Sequence, residues 1–175
     1  MNSFSLSELQ QQQVTDKTDY FIRLANNKLQ LNLPSILIKF NLKGRASGMF
    51  VVQQNQLCIR YNEIVFSKYF DDNALNTVAH EVAHYVVYSK WGVKKVKPHG
   101  KEWKQVMNLF NVEPQVTSNY DVSELPLHRQ TQHEYICDCM SHQLSATRHN
   151  KVQKKKAVYK CRKCLQLLRW KFAVC

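Results

Sequence analysis

His80-Glu81-Val82-Ala83-His84 sets two imidazoles and a carboxylate inside the strongest helical pattern of the chain. Leu75, Val78, Ala79, Val82 and Val86 recur at helical spacing, Asp71-Asp72-Asn73 offers capping side chains before them, and Gly92 suits the C-terminal end. A helix of this composition is expected to be mostly buried, where unpartnered polar groups are costly. The spacing resolves the conflict. Residues four apart lie one turn above each other on one face, so His80 and His84 can reach a single metal ion. Glu81 then stands beside the metal rather than on it, where it can take a proton from a metal-activated water. With the His and Glu content of this chain, the motif would arise by accident in about one sequence in a hundred.

A catalytic zinc takes three protein ligands and keeps a fourth position open. His99, His128, His133 and carboxylates such as Glu102 are candidates for the third. The setting favours His99, in Lys97-Pro98-His99-Gly100, because Pro fixes the approach of a loop and Gly permits close packing. A helix is expected just after it, over residues 101–110, with Trp103, Val106, Met107 and Phe110 facing inward.

A second metal signal lies near the end of the chain. Cys137-Asp-Cys139 and Cys161-Arg-Lys-Cys164 form two close pairs, the pattern of a zinc ribbon with four thiolates around a tetrahedral ion. The first pair is one residue tighter than usual, and His142 could replace one thiolate. Cys58 and Cys175 read as plain thiols. The start, MNSFSLSELQQQQ, has neither the basic opening nor the apolar stretch of an export signal, so a cytoplasmic location and reduced thiols are expected. Apolar stretches fall far short of the roughly 20 residues that span a bilayer, so no membrane is expected as a partner.

Charge separates the two signals. The net charge is +12, yet residues 139–175 hold ten basic residues and no acidic one. Such a one-sign tail is an electrostatic footprint for polyanions. Arg148, Lys151, Lys154, Lys155, Lys156, Lys160, Arg162 and Lys163 are the candidate phosphate contacts, with His149 and Arg169 nearby, and Tyr135, Tyr159 and Trp170 are candidates for stacking on single-stranded bases. A boundary near residue 130 divides the chain into residues 15–130, carrying the HExxH motif, and 131–175, the basic ribbon.

Elsewhere, residues 15–31 carry a helical stripe of Tyr20, Phe21, Leu24, Ala25, Lys28 and Leu29, with the Gln10–Gln13 run before it expected to fray. Residues 36–40, 49–52 and 57–61 read as strands, the last two joined as a hairpin, and Gly44 and Gly48 bracket a turn. The fold class is therefore α+β.

HEVAHYVVYSKWG, KPHGKEWKQVM, YICDCMSHQLSATRHNKV and VYKCRKC, in this order, resemble the SprT family over most of the chain. The resemblance implies a zincin-like (minigluzincin) metalloprotease core with a C-terminal zinc ribbon, and two Zn2+ ions, one catalytic and one structural. It implies that His80, His84 and His99 ligate the catalytic zinc, with Glu81 as base, and that Cys137, Cys139, Cys161 and Cys164 hold the ribbon zinc. The eukaryotic relative Spartan is a DNA-dependent protease acting on proteins crosslinked to DNA. A protein substrate and DNA, single-stranded DNA included, are the implied partners. The extended recruitment tails of Spartan have no counterpart here, so recruitment through them is not expected.

Two other functions fit parts of the pattern. One is a non-catalytic zinc-ribbon protein that binds nucleic acid, with a structural metal at the histidines. Glu81 argues against it, since a structural zinc needs no uncoordinated glutamate beside it. The other is a zinc hydrolase of small peptides. Tyr85 and Tyr88 are near the motif in sequence, but no residue of the chain is singled out to stabilise an oxyanion.

Overall fold

Ser7 starts the first helix, α1 (Glu8–Leu29), with a reciprocal capping box: its hydroxyl accepts from the Gln10 N–H, and the Gln10 side chain accepts from the Ser7 N–H. The Gln10–Gln13 run is thereby helical rather than frayed. The computed structural model describes residues 4–54, 56–92, 96–127 and 131–172, so His128 and Cys175 lie outside the described residues. Two compact units divide it, Met1–Leu127 and His128–Cys175.

The first unit mixes helices with a small sheet. After α1 come β1 (Leu37–Lys39), β2 (Gly48–Gln53), β3 (Gln56–Tyr61), α2 (Glu63–Lys68) and a short turn α3 (Phe70–Asp72). A π-helical turn, Asn73–Thr77, leads into α4 (Val78–Trp91), and α5 spans Lys101–Leu109. The sheet order is β1-β3-β2, with β1 parallel and β2 antiparallel to β3, so β2 is an edge. The core contains Phe21, Ile59, Tyr61, Phe66, Val82, Val86, Trp103 and Met107. Burying the Tyr61 and Thr18 hydroxyls is tolerable because they bond each other at 3.1 Å.

Three sequence expectations change here. Val14, Thr18, Phe21, Ile22 and Ala25 form the buried stripe of α1, whereas Tyr20 is exposed, so the stripe is set one position away from the aromatic that suggested it. Leu75 is also exposed, because the π turn inserts a residue into the helical rotation and swings it outward. Asp71 to Asn73 accordingly sit in the α3 and π turns rather than capping α4. No sequence signal was read at α2, which is too short to show a helical period.

The second unit pairs β4 (Gln132–Ile136) with both β5 (Ser141–Ser145) and β6 (Arg169–Trp170), all antiparallel, and adds α6 (Ala146–Gln153). Its interior is small: Tyr135, Leu144, His149 and two cysteines are buried. The Tyr135 hydroxyl lies 3.1 Å from His149 Nδ1, and the His133 and His149 rings stack at 3.7 Å. Tyr135 and His149 are therefore core residues, removed from the stacking and phosphate-binding roles expected of them. Among the described residues, no helix is long and apolar enough to cross a membrane.

Candidate functional site

Helix α4 carries His80 and His84 on the same face and turns Glu81 toward the sheet. His99 arrives from the loop before α5 with a left-handed backbone, φ 56°, which a non-glycine residue adopts only at a cost. That conformation swings its ring onto the other two. His99 Nε2 lies 3.0 Å from His80 Nε2 and 3.1 Å from His84 Nε2, which are themselves 3.1 Å apart. Glu102 is placed outside this trio, and His133 belongs to the ribbon unit.

The trio fits a metal ion. Three nitrogens in an equal-sided triangle of this size each lie about 1.8 Å from its centre, within the roughly 2.0–2.1 Å reach of a zinc–imidazole bond, so one ion could be held by all three. The chemistry of the donors agrees. Burial, then the neighbouring His99, lowers the pKa of His80 to about 4. Burial, then the two neighbouring imidazoles, lowers that of His84 to about 3, and burial lowers that of His99. All three are neutral at pH 7, the form that binds metal. The Gln115 backbone opposes the shift at His80 without outweighing it.

Two supports read in the sequence only as a core aromatic and a turn glycine. Trp103 is fully buried beneath the trio, its ring centroid 4.7 Å from those of His80 and His99 and 5.8 Å from that of His84. Its indole N–H donates to the His80 carbonyl at 3.3 Å. Gly48 is the other. A Cβ there would lie 2.7 Å from Glu81 Cγ and Thr77 Cγ2, and 2.8 Å from Glu81 Oε1, so only glycine lets β2 pass this close to α4. Gly44, with φ 93°, is the true turn glycine.

Glu81 is 6% exposed, and burial pushes its pKa up to about 7, opposed by the Phe50 N–H. That N–H donates to Oε2 at 2.7 Å, and Glu81 lines the cleft beside His80. The cleft, about 360 Å3, runs between Arg45–Gly48, the start of α4 and the 113–120 segment. Tyr85 donates its hydroxyl to the Pro34 carbonyl at 3.1 Å and is buried, while Tyr88 packs against Phe50.

The ribbon cysteines also converge. Cys137, Cys139, Cys161 and Cys164 place their sulfurs within 4.8 Å of one another. The Cys137–Cys139 and Cys139–Cys161 separations are 3.5 and 3.7 Å, near the roughly 3.8 Å edge of a tetrahedral four-sulfur zinc site. Desolvation raises the Cys137 pKa, but hydrogen bonds from the Cys139 backbone and His142 outweigh it and bring it to about 5. His142 Nε2 lies 3.2 Å from Cys137 Sγ, beside the four thiols and not among them. Both groups could bind metal ions, consistent with zinc.

All eight candidate phosphate contacts are exposed, and Arg148 lies over the Tyr159 ring at 5.7 Å. Arg169 is engaged by Asp138 at 3.0 Å.

A family model described as the SprT-like family matches residues 17–124. The chain is 38% identical to Protein SprT of Vibrio parahaemolyticus over 84% of its own length and 86% of that protein. It is 34% identical to Protein SprT of Vibrio atlanticus, covering 91% and 92%, and 31% identical to Protein SprT of Yersinia enterocolitica, covering 97% and 96%. No solved structure matches it. The span of these matches, over a chain whose histidines and cysteines gather into two metal-ready groups, establishes that it belongs to the SprT-like family.

Proposed function

We propose that the protein is a zinc metallopeptidase with a zincin-like core, cleaving peptide bonds of protein substrates, and that its ribbon holds nucleic acid. The observation that carries this reading is the buried Glu81 carboxylate beside three converging imidazoles at the wall of an open cleft. A purely structural metal would give no reason to bury a carboxylate there.

His80, His84 and His99 hold the catalytic zinc, which supplies Lewis acidity to the scissile carbonyl and to a water when bound. Glu81 takes the proton of the attacking water and returns it to the leaving amine. Phe50 orients Glu81 by fixing Oε2, which would leave Oε1 for the proton transfer. Gly48 keeps the space that this orientation needs.

Cys137, Cys139, Cys161 and Cys164 hold the structural zinc, which substitutes for the hydrophobic interior that so small a unit lacks. Its exposed basic side chains bind phosphates, and Tyr159 and Trp170 remain as the stacking candidates. Proteolysis of proteins crosslinked to DNA, in the cytoplasm, is the role this combination fits.

Glu81→Gln tests the chemistry. The variant is expected to keep its zinc and lose cleavage of an unfolded protein substrate by at least about 100-fold, the scale of a general base. Unchanged cleavage with zinc retained would overturn the reading. Stimulation of the native chain by single-stranded DNA separates proteolysis linked to nucleic acid from a small-peptide hydrolase, for which no stimulation is expected.

A further inference from the structure

The trio of histidines divides the site into two unequal clefts. On the His80 side lies the 360 Å3 cleft, with Arg45, Asp72, Asn76 and Glu113 among its walls. On the side of His84 and His99 lies a cavity of about 120 Å3 walled by Phe50, Val87, Tyr88, Val96, Pro98 and Trp103. Among the described residues the one charged side chain on this second wall is Lys97, which is exposed and stands at the rim. One side is polar and roomy, the other apolar and small.

Strand β2 gives the clefts a direction. The Phe50 N–H donates to Glu81, so it points away from β3, and by alternation the N–H and C=O groups of Gly48 and Val52 also point to the free edge. An extended polypeptide adds to such an edge by main-chain hydrogen bonds, and antiparallel pairing is the more stable mode. The strand runs from Gly48, in the polar cleft, to Phe50, in the apolar cavity. An antiparallel partner runs the other way. Its N-terminal portion then crosses the apolar cavity before the scissile bond reaches the histidines.

Resting on the peptidase reading above, we propose that this cavity selects the substrate residue immediately N-terminal to the scissile bond, and that it takes an aliphatic side chain. An enclosed cavity of about 150 Å3 accommodates a benzene ring, so about 120 Å3 suits Val, Leu, Ile or Met better than an indole. Carboxylates and ammonium groups are disfavoured there because, apart from the two histidines, only the Tyr88 hydroxyl and the rim Lys97 among the described wall residues would replace their hydration. The polar cleft places no such demand on the residue after the bond.

Two measurements on the zinc-loaded full chain test this. The first maps the cut bonds in a mixture of unfolded proteins by mass spectrometry. Aliphatic residues are expected N-terminal to the cut about 10-fold or more above Asp and Glu, the discrimination one side chain earns in an apolar pocket. The second measures binding of two fluorescent peptides, one ending in Leu and one in Asp, to the Glu81→Gln chain by anisotropy. The Leu peptide is expected to bind about 10-fold tighter, and Val96→Trp, at a half-buried loop position, should erase that gap by filling the cavity. Cleavage without a preference, or with one only C-terminal to the cut, overturns the inference and leaves the peptidase reading standing. Selective binding without cleavage by the native chain overturns the peptidase reading and, with it, the inference, leaving the cavity as a binding site for aliphatic side chains alone. Neither cleavage nor selective binding defeats both.

Discussion

Individual residues decide whether the histidine trio works, and the decisive ones are those that touch it from outside the motif. Trp103 contacts all three rings and donates to the His80 carbonyl, so it sets their relative tilt. Trp103→Phe keeps most of the ring packing and removes the hydrogen bond. Its zinc affinity, read by competition with a chelator, is expected to fall by about 10-fold, as losses of groups supporting a metal ligand do. An unchanged affinity would mean that the indole only fills space. Gly48→Ala acts on the carboxylate instead. Its Cβ would meet Glu81 and Thr77 at 2.7 Å, so cleavage is expected to drop sharply while zinc content stays at the native level. Native turnover in this variant would show that Glu81 can move aside without consequence. His80, Glu81 and His84 were legible from spacing, because a period of 3.6 residues determines which side chains share a face. Trp103 and Gly48 were visible only as a core aromatic and a turn glycine. Their roles arise from the approach of α5 and β2 to α4, and no local pattern encodes that approach.

Elements show the same division between local and tertiary causes. Where a local rule suffices, the sequence was sufficient: α5, the β2–β3 hairpin and the ribbon cysteines lie close to their expected places. The start of α1 was also legible in principle, since Ser7-x-x-Gln10 is a capping box, but the glutamine run hid it. Ser7→Ala is expected to cost about 1 kcal/mol of stability by removing that cap, read as a lower midpoint in chemical denaturation. No shift would show that the first turn contributes nothing to folding. The π turn at Asn73–Thr77 was not legible. Side chains four residues apart hold it: Thr77 Oγ1 donates to Asn73 Oδ1 at 2.7 Å, and the Asn73 side chain donates to the Tyr69 carbonyl at 2.9 Å, a pairing that apolar periodicity does not reveal. Its extra residue changes the rotation with which α4 presents His80 and Glu81 to the cleft.

Across the whole molecule, charge and metal divide along the same line. Over residues 131–175 ten basic residues stand against Glu134 and Asp138, a net +8, and one zinc held by four thiolates would lower it to about +6, so the ribbon remains strongly basic when loaded. Its two carboxylates are already engaged, Asp138 by Arg169 and Glu134 by Lys171. None of the eight candidate phosphate contacts takes part in an ion pair among the described residues, so their charge is available to a polyanion. Lys154, Lys155 and Lys156 are adjacent and exposed at the end of α6, and none of them belongs to the cysteine group. Replacing all three by Gln should therefore leave two zincs per chain. Each phosphate contact contributes about −0.7 to the slope of log affinity against log salt on a single strand. If all three lysines bind phosphates, the slope for a labelled single-stranded oligonucleotide becomes shallower by about 2, with weaker binding at low salt. A slope unchanged from the native chain, with both zincs present, would remove these lysines from the interface. The double replacement of Cys161 and Cys164 by Ser separates the other half of the molecule, since one zinc should be lost while the one on the histidines stays.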